Sequence, residues 1–153
     1  MKHEDNKLYN AAATAVTVIH QTFHAVKAEI GDDAAKLELD WALSFAIKDD
    51  DEGMAEVLIR YGASPCAIIH GDTNLIAAAR YPDSFDMINT IIRASLAREV
   101  EWHWHKAIEV LGGVDHLEIT AKVSENNGNH TSARILREMA DRKINLIAGS
   151  ALI

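Results

Sequence analysis

The chain has 153 residues, a length that suits one domain with a real core. Apolar residues make up 48% and charged residues 25%, the balance of an ordinary soluble globular protein. A formal net charge of −8 disfavours direct binding to a nucleic-acid backbone, and a single cysteine, Cys66, excludes an intramolecular disulfide and a multi-cysteine zinc site.

Residues 6–30 read as one long helix, with Leu8, Ala12, Ala15, Val16, Ile19, Phe23, Val26 and Ile30 recurring at spacings of three and four. Asp5 or Asn6 supplies a cap and Gly31 an end, and a β-branched run from Val16 to Ile19 weakens the helix within. Residues 34–48 form a second helix around Leu37, Trp41, Phe45 and Ile47. The acidic loop from Asp49 to Gly53 separates it from a third helix, 54–61. Two more helices follow at 73–80 and 84–96. Residues 98–111 read as helical and end at Gly112-Gly113. Asp115 then caps a helix to Ser124, a turn-rich loop spans Glu125 to Asn129, and a last helix spans Thr131 to Arg142. The apolar tail, Ile144 to Ile153, is expected to pack on the end of the molecule.

Part of this pattern repeats. Leu43 returns as Leu75, Ala46 as Ala78, and the pair Leu58-Ile59 as Ile91-Ile92, a period of 32–33 residues. The small residues Ala46, Ala78 and Ala79 let short helices approach closely, and the apolar pairs need a neighbouring repeat to cover them. Thr73 stands where an N-cap is needed, Gly62 where a left-handed residue ends a helix, and Pro65 where the helix must not resume.

On these residues the segment 39–96 resembles the ankyrin-repeat family. Gly71, Thr73, Leu75, Ala78 and Ala79 match the first half of the family pattern, and Leu58, Ile59, Gly62, Ala63 and Pro65 the second half. Asn74, Ile76 and Ser64 stand where the family has Pro, His and Asp. The resemblance implies an all-α stack: an N-terminal helical cap over 1–38, two repeats over 39–97, and a diverged repeat or helical cap over 98–153. That diverged repeat starts near Leu117 after a helical insertion, or else occupies 98–124 with the last helix as a cap. It also implies a non-enzymatic module that grips a partner protein along its inner helices and turns, with Ile69, His70 and Asp72 among the contacts.

Two further segments are candidate contacts. Residues 29–56 hold ten acids and two lysines, so they carry the whole net charge. Within them Asp49, Asp50, Asp51 and Glu52 would meet a basic protein surface. Their spacing is not that of an EF-hand. Trp102 and Trp104 lie about 200° apart on a helix, so both cannot be buried on one narrow face: either both pack between neighbouring helices, or one is core and the other is exposed to anchor a partner.

Metal and catalytic motifs are weak. His20 and His24 share a helix face at a ligand spacing, but no third ligand accompanies them. His103 and His105 diverge on a helix. Cys66 has no catalytic signature, and there is no glycine-rich phosphate loop. No catalytic residue, cofactor or metal is expected. No run approaches the ~18 apolar residues of a membrane span, and the polar start, Met1 to Asn6, is not a signal peptide. A cytoplasmic protein without membrane or direct nucleic-acid contact is expected, with self-association left open. Two alternatives remain: a small acidic inhibitor, of viral or mobile-element type, that blocks a nucleic-acid-binding surface of a host-defence complex; and a metal-dependent enzyme.

Overall fold

The computed structural model describes residues 5–14, 16–81, 83–97 and 108–151. Among the described residues the fold is all-α but for one small hairpin. In chain order the helices are α1 (Lys7–Thr14), α2 (Val16–Ile30), α3 (Asp32–Lys48), α4 (Glu52–Arg60), α5 (Asn74–Arg80), α6 (Phe85–Ala97), α7 (Val114–Asn126) and α8 (His130–Ala151). The strands β1 (Ile68–Ile69) and β2 (Asp72–Thr73) pair antiparallel between α4 and α5. Among the described residues no helix is long and apolar enough to cross a membrane.

The expected single helix over 6–30 is corrected. Lys7 Nζ lies 3.2 Å from Glu29 Oε2. In one straight helix these residues would stand ~33 Å apart, at a rise of 1.5 Å per residue. α1 and α2 therefore pack side by side as two helices, and α2 opens on the β-branched run, whose helix propensity is low. Asn6 is the cap: its Oδ1 accepts from the Tyr9 amide at 2.8 Å, and its Nδ2 donates to the Glu38 carbonyl at 2.9 Å. One buried side chain thus both starts α1 and fastens it to α3.

From α3 onward the helices pack in consecutive pairs, α3 with α4, α5 with α6 and α7 with α8. The first members pack in one row, α3 on α5 and α5 on α7, and the second members in another, α4 on α6 and α6 on α8. The core lies between the rows. Leu43, Leu75 and Leu117 are fully buried, as are Leu58, Ile59 and Ile91. Ala46, Ala78 and Ala79 are also at 0% exposure, so the helices approach with no side chain beyond Cβ between them. A larger residue there would overpack the contact.

The local signals explain most helix ends. Asp51 Oδ1 accepts from the Met54 amide at 3.0 Å, and Thr73 Oγ1 from the Ile76 amide at 3.1 Å, each capping its helix. Gly62, at φ 115°, closes α4: Ala63 N donates to Leu58 O at 3.0 Å and Gly62 N to Ile59 O at 3.0 Å, a Schellman end. Other ends depart from expectation. Glu52 and Gly53 belong to the first turn of α4, because Asp51 captures the amide beyond them. Asp115 is not a cap: α7 starts at Val114 behind Gly113, and Asp115 sits in its first turn, where the helix dipole favours an acid. The last helix does not stop at Arg142 but runs on to Ala151 through the apolar tail.

Asn74 joins neighbouring pairs. Its Nδ2 donates to Asp40 O and to Ser64 O, each at 3.1 Å, while the buried Asp40 carboxylate accepts from the Ser64 amide at 2.7 Å.

Candidate functional site

A groove of about 260 Å³ opens between α3, the hairpin and α5. Ser44, Phe45 and Lys48 line it from α3; Ile69, His70 and Asp72 from the hairpin; Asn74, Ala77 and Arg80 from α5; and Tyr81 closes its end. A second hollow, of about 360 Å³, adjoins it and shares Lys48 and Tyr81. Three residues singled out from the sequence, Ile69, His70 and Asp72, are thus brought together on one surface.

The hairpin shapes this surface. Ile69 pairs with Asp72, which leaves His70 and Gly71 as a two-residue turn. Both have positive φ, 55° and 86°, the arrangement that matches the twist of the flanking strands. Histidine is among the few residues that tolerate this conformation besides glycine. The turn holds the exposed His70 ring edge-on to Trp41, with centroids 4.9 Å apart and planes at 86°. Trp41 in turn lies against Phe45, at 6.0 Å.

Asp72 and Arg80 form a bidentate pair across the groove mouth, Nε to Oδ2 at 2.6 Å and one terminal nitrogen to Oδ1 at 3.0 Å. The Arg80 hydrogen bonds hold the Asp72 carboxyl below the usual carboxylate range. Asn74 is fully buried at the groove floor and spends both N–H groups inward, so its Oδ1 has no partner among the described residues.

The acidic segment does not act as one surface. Glu38 and Asp40 are buried and serve backbone amides of Lys7 and Ser64. Glu29, Asp32 and Glu56 pair with Lys7, Lys27 and Arg60. Asp49 accepts a short hydrogen bond from the Tyr9 hydroxyl; burial, then this carboxylate, pushes the phenol pKa up. Asp51 caps α4. Of the four candidates, Asp50, at φ 53° in an exposed turn, and Glu52 are the two with no such structural duty among the described residues.

His20 and His24 stack edge to face, with centroids 4.6 Å apart, and His20 Nδ1 lies 2.9 Å from the Tyr61 hydroxyl. Among the described residues no group of three or more His, Cys, Asp or Glu could hold a metal ion. The Cys66 thiol donates to Val110 O at 2.9 Å, and burial pushes its pKa up, away from the thiolate a nucleophile needs. Trp102, Trp104, His103 and His105 lie outside the described residues.

Sequence reasoning missed Ser44, Lys48, Ala77, Arg80 and Tyr81. The signal was present: Lys48 and Arg80 stand 32 residues apart, the same spacing as Leu43 and Leu75, each five residues beyond its leucine. No protein-family model matches the chain, and no curated protein or solved structure matches it.

Proposed function

We propose that this chain is a non-enzymatic protein-binding module built as an ankyrin-like stack, and that a partner segment lies in the groove between α3, the hairpin and α5. The observation that carries this reading is the convergence of Ile69, His70 and Asp72 with Lys48, Arg80 and Tyr81 around one open groove. The pairing of α3 with α4, α5 with α6 and α7 with α8, in two rows, supports the stack. A rigid turn presents His70, and a bidentate ion pair fixes Arg80, so the binding groups are ordered before a partner arrives.

The second reading, an acidic inhibitor that covers a basic nucleic-acid-binding surface, now rests on Asp50 and Glu52, with most of the other acids occupied in the fold. The two readings separate in one experiment. Affinity capture from the native host is run with the wild type, with Ala77→Arg, which fills the groove, and with Asp50→Lys/Glu52→Lys. A groove partner is lost from Ala77→Arg and kept by the charge-reversed loop. The opposite pattern would overturn the groove reading in favour of the acidic one.

A further inference from the structure

The row of helices that carries the groove also carries an ordered line of cations. Leu43, Leu75 and Leu117 occupy equivalent buried places on α3, α5 and α7. Counting five residues on from each gives Lys48, Arg80 and Lys122, and all three are exposed. The residue just before each, Ile47, Ala79 and Ala121, is buried, so the three helices present the same face. Thr73 Oγ1 and His116 Nε2, 2.7 Å apart, fix α5 against α7 and hold this register.

We infer that the groove is the middle of a longer track for an extended acidic peptide, whose carboxylates meet Lys48, Arg80 and Lys122 in turn. The inference rests on the module reading above and gives the chemistry of its partner. Packed helices stand ~8–10 Å apart. A chain extended in polyproline-II conformation advances ~3.1 Å per residue with about three residues per turn, so carboxylates three residues apart share one face and stand ~9 Å apart, the spacing of successive cations. Among the described residues neither Lys48 nor Lys122 has an ion-pair partner. Arg80 gives Asp72 two of its five N–H donors and keeps three for a ligand. In a chain of net charge −8, three cations on one row are a local exception, and they favour a short acidic segment. A nucleic acid would carry its phosphates beyond these cations onto Asp50 and Asp83, which line the adjoining hollow.

The test uses fluorescein-labelled decapeptides of Gly and Ser with every third residue Glu, Gln or Lys, a labelled thymidine decanucleotide, and fluorescence anisotropy. The Glu peptide is expected to bind about tenfold more tightly than the Gln peptide at low salt, with the advantage shrinking at high salt. Lys48→Glu/Lys122→Glu should abolish that advantage while its thermal melt shows it folded. Equal binding of the Gln peptide, tighter binding of the Lys peptide or the nucleotide, or no binding of any probe would each overturn the acidic partner. In those cases a capture still blocked by Ala77→Arg would leave the module reading standing.

Discussion

The Thr73 hydroxyl bonds His116 of α7 while it caps α5. His116 Nδ1 lies 2.6 Å from the Leu111 carbonyl, which can only accept, so Nδ1 carries the proton. In the neutral ring Nε2 is then the acceptor for the Thr73 O–H, at 2.7 Å, which frees the Oγ1 lone pairs for the Ile76 amide. One side chain starts a helix and joins two helix pairs.

Thr73→Val keeps the shape and removes both bonds. Loss of the cap and of the interhelical bond should destabilise the protein by about 2 kcal/mol, read as a fall in the urea midpoint at unchanged m-value. A loss of a few tenths of a kcal/mol would show that the Thr73–His116 contact does not hold in solution.

Gly112 makes room for that same histidine. It has φ +97°, and a Cβ placed there would stand 2.7 Å from His116 Cγ. Gly112→Ala should cost at least about 2 kcal/mol through backbone strain and displacement of the ring. His116→Ala removes the obstacle, so the double variant should cost less than the sum of the singles by about 1 kcal/mol. Additive costs would mean the ring is not the obstacle.

Asn6 ties the N-terminal helix to α3. Asn6→Ala leaves the Tyr9 amide without its cap and takes the Asn6 donor from the Glu38 carbonyl, breaking the tie to α3. A cost of about 2–3 kcal/mol is expected, with amide exchange across α1 and α2 accelerated more than across α7. Uniform acceleration would argue that α1 is no separate unit of stability.

Asp72 sets an acid limit. Hydrogen bonds from Arg80 lower its pKa on folding. The unfolded state then binds its proton more readily, so the stability Asp72 contributes is complete above the ordinary value near 4 and is lost as pH falls through the lowered one. Stability measured against pH should therefore drop more steeply below pH ~4 in the wild type than in Asp72→Asn. Identical acid arms would remove the pair from the account.

The acidic loop divides into scaffold and surface. Asp51→Ala should cost about 1 kcal/mol through the lost cap of α4, while Asp50→Asn, which keeps a residue that tolerates the left-handed turn, should change stability by less than about 0.5 kcal/mol. Thermal melts of the two variants decide this, and a larger cost for Asp50→Asn would reassign the loop.

The sequence by itself determined the local units. Hydrophobic spacing placed α3 to α7 to within a few residues, and Thr73 and Gly62 did what their types imply, because capping and left-handed turns depend on neighbours along the chain. Its apolar pattern also picked out Leu43, Leu75, Leu58-Ile59 and Ile91-Ile92, all of which are buried. Only the tertiary structure decided the rest. Helix spacing alone continues from α1 into α2, and only the Lys7–Glu29 contact shows that the two helices lie against each other. Charge counting made one patch of residues 29–56, whereas burial of Glu38 and Asp40 and the duties of Asp49 and Asp51 disperse it. The groove joins Lys48, His70 and Arg80 from three elements, and a pattern read along the chain carries no information on which faces meet across space.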